Sequence, residues 1–198
     1  ISYLFNLDHD AAKQSRYQSG YWTHLPDALQ QEACKTNWLH LYVKDELLPT
    51  SKQAADTIRA FNKTGRGEQH HVTLDTFLSL SVVFRTLRDW GQLLWIGIHL
   101  RNKLRTEQGD GLNLWPLFEL DWRSSMFGQV AIWNLITLSL FDSALGCLPQ
   151  QPRGVYLQEN QGWEFGLIQA WQKAGHNHLI GAPHSTVRFW DLRYFFDP

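Results

Sequence analysis

The sequence has little charge of either sign to spare. Lys and Arg total 18 against 19 Asp and Glu, a formal net charge of -1 over 198 residues. A nucleic-acid binder would carry a basic footprint, so no nucleic-acid partner is expected. Cysteine is scarce as well, with only Cys34 and Cys147, far apart and in no CxxC pair. They make neither a disulfide framework nor a zinc ligand set, and a reducing, cytoplasmic setting follows as the expectation. The first residues lack a basic segment leading into an apolar one, so no signal peptide is read there. The longest uncharged run, residues 124–141, is interrupted by Gln129, Asn134, Thr137 and Ser139. A bilayer crossing needs about 20 predominantly apolar residues, so this run reads as a buried core helix and no membrane span is expected. Internal repeats and low-complexity tracts are also missing. Gly65-Arg66-Gly67 has the wrong flanks for a P-loop or a dinucleotide fingerprint, and Ser185 has no GxSxG setting.

What is present is apolar and aromatic. With 43% hydrophobic and 14% aromatic residues, global disorder is excluded. Ten tryptophans are a heavy load, and for each the simplest place is a core. The length suits a single domain over 1–198. Strands are expected at 1–7, 38–43, 70–73, 154–158 and 178–182. Helices are expected at 25–34, with Pro26 in the first turn, and from Thr50-Ser51-Lys52-Gln53, which has the form of a capping box, to about Asn62. Residues 74–104 carry Phe77, Leu80, Val83, Phe84, Leu87 and Trp90 at spacings of three and four, with Gly91 and Gly97 as candidate breaks. A second long helical stretch covers 118–145. The middle of the chain is thus more helical than plain alternation of strand and helix. The fold class expected is α/β, a Rossmann-like three-layer domain with a parallel sheet and long helices in the middle. Met126 is the only methionine, and the chain runs from Ile1, inside an expected strand, to Phe195-Phe196-Asp197-Pro198. A piece of a longer protein is expected.

The last fifty residues carry the candidate chemistry. Strand 154–158, helix 162–174 and strand 178–182 form a βαβ unit, with Asn160 as an N-cap candidate and Gly175 at the C′ position. Phe165, Ile168 and Trp171 or close neighbours would be the buried face of that helix. Ligands of open α/β sheets bind outside the carboxyl ends of the strands. Glu159 follows one such end; His184 and Ser185 follow the next. Glu159 is the candidate general base and His184 a candidate acid or orienting group. Arg188 could pair with an anionic group. Glu164, one turn into the helix, is a candidate substrate contact whose simpler reading is a solvated or dipole-stabilising position. Two weaker sets remain. Asp8-His9-Asp10 has the DxD form used to hold a divalent ion, and His70-His71, adjacent on a strand, face opposite ways and are poor joint ligands.

Tyr156-Leu-Gln-Glu-Asn-Gln-Gly-Trp-Glu164, Ala170-Trp171 and Gly181-Ala-Pro-His-Ser-Thr-Val-Arg-Phe-Trp190 resemble bacterial surface-carbohydrate biosynthesis proteins, glycosyltransferases of O-antigen and capsule pathways. Tyr3-Leu-Phe-Asn-Leu-Asp8, Tyr21-Trp22, Trp38-Leu-His-Leu-Tyr42 and Leu74-Asp-Thr-Phe-Leu-Ser-Leu80 look like the same family's N-terminal region. The resemblance implies the N-terminal, acceptor-side half of a GT-B-like architecture, with the nucleotide-binding half in a C-terminal domain not present here. It implies a saccharide acceptor and a nucleotide-sugar donor, with no cofactor besides that donor. Peripheral membrane association is compatible with it. Glu159 and Glu164 fit the family's base, with His184 and Ser185 on the opposing lip, and Asn160 and Arg188 beside them. The rival reading is a noncatalytic saccharide-binding or assembly module of the same pathway.

Overall fold

The computed structural model describes residues 1–4, 6–65, 67–106, 113 and 115–183. Five strands and seven helices occur among the described residues. They are β1 (Ser2–Tyr3), α1 (His9–Lys13), α2 (Leu25–Gln31), β2 (Thr36–Leu41), α3 (Ser51–Thr64), β3 (Gln69–Thr73), α4 (Leu80–Thr106), α5 (Trp115–Met126), α6 (Gln129–Gly146), β4 (Arg153–Gln158), α7 (Gly162–Lys173) and β5 (His178–Pro183). A short 3₁₀ turn, Leu74–Phe77, precedes α4. The fold is therefore α/β, with parallel strands and long helices in the middle, as the sequence pattern implies.

Local chemistry explains most boundaries. Thr50 is the N-cap of α3, its Oγ1 accepting from the Gln53 N–H at 3.2 Å while its own hydroxyl donates to Gln53 Oε1 at 2.7 Å. Asp8 caps α1 through Oδ1, which accepts from the Ala11 N–H at 2.7 Å. Pro26 sits in the first turn of α2, where a missing N–H costs nothing. α7 stops where Gly175 takes φ 72°, its N–H donating back to the Gln172 carbonyl at 3.0 Å.

Contacts divide the chain into two compact units. The first comprises residues 1–77, 150–161 and, of those described, 176–183; the second comprises 78–149 and 162–175.

In the first unit, β1, β2 and β3 form one parallel ladder, with Ser2 opposite His40 and His40 opposite Thr73. β4 and β5 form another, from Arg153 opposite His178 to Gln158 opposite Pro183. Two further hydrogen bonds join them. The Ile1 N–H donates to the Val155 carbonyl at 2.6 Å, and the Leu157 N–H donates to the Ile1 carbonyl at 3.4 Å. One residue flanked by i and i+2 of its neighbour is the parallel pattern. The strands thus follow the order β3-β2-β1-β4-β5, all running the same way. Ala54, Ile58 and Phe61 of α3, at spacings of four and three, pack with Leu4, Tyr17, Trp38 and Leu157 into one apolar cluster.

The second unit is helical. α4 packs on α6 and α5, and α7 packs on α6. α4 runs unbroken through Gly91 and Gly97; at Gly97 the helix lies close to its neighbour, and a Cβ there would meet the Phe127 ring at 2.9 Å. The expected single helix over 118–145 is instead two, α5 and α6, bent by 45° at residues 127–128. Among the described residues no single helix is long and apolar enough to cross a membrane; only that bent pair together passes on length and composition. α7 buries Glu164, Leu167, Ala170 and Trp171, and leaves Phe165 73% exposed. Its inward face is therefore turned by one residue from the expected one, with Gly166 allowing close approach to Leu138.

The core makes a contrast that denaturation can test. Phe61 is enclosed and Leu80 is open to solvent. Phe61→Ala should cost about 3–5 kcal/mol in urea unfolding, whereas Leu80→Ala should change the midpoint by less than about 0.5 kcal/mol equivalent.

Candidate functional site

In the strand order β3-β2-β1-β4-β5, chain direction along the sheet reverses between β1 and β4. Side chains beyond the carboxyl ends of those two strands line the place where open α/β sheets take ligands. Both strands leave through an asparagine in the left-handed region, Asn6 at φ 56° and Asn160 at φ 58°. Asparagine adopts that conformation at less cost than other residues with a Cβ.

The chain after β1 makes a short antiparallel return. Leu7 bridges Ser19, the Asp8 N–H donates to the Gln18 carbonyl at 2.9 Å, and the Gly20 N–H donates to the Asn6 carbonyl at 2.9 Å. A Cβ at Gly20 would sit 2.7 Å from the Asn6 Nδ2, so a side chain there would displace the Asn6 amide. This return brings Tyr21 beside the β4 exit. The Tyr21 phenol is held above its usual range, first by burial and then by the negative charge of Glu159. Glu159 and Asn160 are both half-buried, and the Asn160 Nδ2 is shut off from solvent with no hydrogen-bond partner among the described residues. Asn6, Tyr21, Glu159 and Asn160 thus bring amides, a phenol and a carboxylate to one end of the sheet. Such a set suits a polyhydroxylated ligand, with amides to hold hydroxyls and a carboxylate to take a proton.

The structure sorts the other candidates. His184, Ser185 and Arg188 lie outside the described residues. Asn160 is not the N-cap of α7, because the helix begins two residues later at Gly162. Glu164 is not solvated: it is only 5% exposed and belongs to the helical unit. Asp8 and Asp10 are each engaged locally, Asp8 as the cap of α1 and Asp10 with Lys13 at 3.5 Å. No group of three metal-ligating side chains occurs among the described residues. His70 and His71 do face opposite ways, His70 exposed and His71 buried.

One polar pair was not anticipated. His40 of β2 and His71 of β3 are both buried, with His40 Nε2 3.0 Å from His71 Nδ1 and their rings parallel within 5°. Trp38 lies parallel to both, and the Tyr17 ring tilts against all three. Asn62 of α3 grips the backbone of His71, accepting from its N–H at 2.6 Å and donating to its carbonyl at 2.8 Å. A hydrogen bond between the two imidazoles needs an unprotonated nitrogen on one of them, so both rings cannot be charged at once. Burial first, and then the charge of the neighbouring histidine, pushes His40 well below its ordinary value. Burial, then the charge of His70, lowers His71 to about 3. The alternation of β2 hinted at an inward His40, but its partner depends on parallel register across 31 residues.

No family model, curated protein or solved structure matches the chain.

The histidine pair sets an acid limit on stability. Both imidazoles stay neutral in the fold, whereas in the unfolded chain they take up protons below about pH 6.5. Their contribution is complete above that pH and is lost as pH falls from 6.5 toward 3. Urea unfolding should show stability declining as pH falls from 6.5 to 5. The slope there should approach 1–3 kcal/mol per pH unit, about 1.4 for each histidine at most. A flat profile to pH 5 would overturn this account, since ordinary carboxylates remain ionised there.

Proposed function

We propose that this chain is the acceptor-side, Rossmann-like half of a GT-B-like glycosyltransferase of surface-polysaccharide assembly. In that reading the crevice beyond β1 and β4 holds a saccharide acceptor. The Glu159 carboxylate accepts the proton of the attacking acceptor hydroxyl as its oxygen bonds to the anomeric carbon of a nucleotide-sugar, and the nucleoside diphosphate leaves. Asn6 and Asn160 orient sugar hydroxyls, and Tyr21 holds the carboxylate's surroundings. The observation that carries the reading is Glu159 with Asn160 at the exit of β4, next to the Tyr21 return from β1, where strand direction along the sheet reverses.

The first turn after β1 supports the acceptor side over the nucleotide side. Dinucleotide-binding folds seat a pyrophosphate on the helix N-terminus that follows their first strand, where free N–H groups meet the phosphates. Here that terminus is capped by Asp8, with Asp10 in the first turn, and α1 spans only five residues. Two carboxylates there repel a diphosphate. The donor nucleotide then belongs to a second, C-terminal half.

The test uses the full-length protein. Glu159→Gln should lower sugar transfer by about 10²–10⁴-fold with an unchanged melting curve. Undiminished transfer would overturn the base assignment. Saccharide binding that persists in the wild type with no transfer from any nucleotide-sugar would favour the noncatalytic binding module.

A further inference from the structure

The return that carries Tyr21 lies over the histidine pair. Its Tyr17 is 4% exposed, and the ring rests on Trp38, His71 and His40 at 4.8, 4.9 and 5.2 Å between centroids. Two backbone hydrogen bonds tie this return to the chain leaving β1, Asp8 N–H to the Gln18 carbonyl and Gly20 N–H to the Asn6 carbonyl, both at 2.9 Å. The sheet is held separately. β2 and β3 pair over five positions, and Asn62 of α3 bonds the His71 backbone on both sides. A short loop thus covers two imidazoles that the strands themselves keep in place. The His40 Nδ1 under it is shut off from solvent with no partner among the described residues, so admitting water there returns part of what the lost ring contacts cost.

We propose that residues 17–21 form an acid-released strap, which lifts from the histidine pair in mild acid while the sheet stays folded, and takes the candidate site apart as it goes. In the closed form burial keeps both rings neutral, His40 well below its ordinary value and His71 at about 3. Uncovered and wet, an imidazole takes up a proton below about pH 6.5. Opening therefore binds protons as pH falls, and the closed form loses ground to it. The groups around the pair do not hold those protons in the closed form. β1 brings Ser2, opposite His40, and the Ile1 amino group, whose charge opposes protonation of His40. β3 brings His70, whose charge opposes protonation of His71. α3 brings Phe61 and Asn62, and the strap brings the Tyr17 phenol. None of these is a carboxylate. Gly20 and Tyr21 leave with Tyr17, so Asn6 loses its backbone partner and Glu159 its phenol neighbour. The release rests on this packing and stands independently of the catalytic reading.

Native-state hydrogen exchange, followed residue by residue by NMR and corrected for the intrinsic rate at each pH, tests it. The Asp8 and Gly20 amides report the strap, and amides inside β2 and β3 report the sheet. From pH 7.5 to 5 the strap's opening constant should rise about thirtyfold if one imidazole is uncovered and about a thousandfold if both are. Over the same range the strand amides should stay at least about tenfold more protected than the strap. His70→Gln should leave the rise in place, since His70 is exposed already in the closed form. His40→Gln with His71→Gln should abolish it. Should that double variant not fold, the wild-type profile decides alone. An opening constant that ignores pH overturns the proposal. So does strap exchange that matches the strands at every pH, because the strap would then open only with the whole fold. A folded double variant that keeps the full rise places the protons on other groups and overturns it too.

Discussion

The two hydrogen bonds between Ile1 and the Val155–Leu157 stretch are what the rest of the first unit depends on. Without them there are two small sheets, each too narrow to position anything between strand ends. With them, five parallel strands share one order, and neighbouring strands β1 and β4 send their chains away in opposite directions along the sheet. Loops that diverge leave a gap at the carboxyl ends, and backbone geometry alone makes that gap available to a ligand. Asn6 and Asn160, Tyr21 and Glu159 are placed by that topology; they are separated by up to 154 positions and have no local reason to meet. The short return from Leu7 to Gly20 matters for the same reason, since it holds Tyr21 against the neighbouring exit.

The same sheet tolerates a polar core because the polarity is internally consumed. A buried imidazole without a partner would cost more than its ring contacts return. His40 and His71 avoid most of that cost by sharing one proton, by lying flat against Trp38, and by having the His71 backbone held on both sides by Asn62. His40 Nδ1 remains without a partner among the described residues. That residual cost falls on the neutral form; a charged ring would cost far more, and this is why the pair stays unprotonated. Parallel register makes the arrangement specific. A slip of one residue would turn His71 to solvent and bring His70 inward, separating the pair.

Local rules were legible in the sequence wherever one residue type satisfies one backbone group. The Thr50 cap, the Pro26 first turn and the Gly175 ending all follow from positions within a few residues of each other, whereas α1 and the break between α5 and α6 were not read. Facing was legible less often. Leu80, Val83, Phe84 and Leu87 have the period of a helix, but period reports only that a stripe exists, not which side of the bundle it meets. On α7, Leu167, Ala170 and Trp171 won over Phe165, with Gly166 letting Leu138 of α6 come close. Glu164 went inside with them. The His40–His71 pair and the placing of Tyr21 by Glu159 were beyond reach, because each needs the register of strands or loops distant in the chain. The position of Glu159 was legible, since a residue just past a strand lies at its carboxyl end whichever strands flank it.

The two units differ in how completely they satisfy themselves. In the first, apolar side chains are enclosed by a sheet and α3, and its large hydrophobics are exposed only at Val43 and Ile180 among the described residues. In the second, every helix carries large apolar residues outward: Leu80, Phe84 and Trp95 on α4, Leu117 and Leu120 on α5, Trp133 on α6, Phe165 on α7. Four helices have a limited inner surface, and α6 alone is apolar nearly all round, so it saturates much of that interior. Apolar residues beyond that capacity must face outward whatever the packing. A sequence that maintained water as the only neighbour would place polar residues at those positions, as it does on α3, where Lys52, Gln53 and Asp56 occupy the outer side. The contrast between α3 and α4 within one chain therefore separates a helix whose outer side is polar from one whose outer side carries apolar residues the interior has no room for.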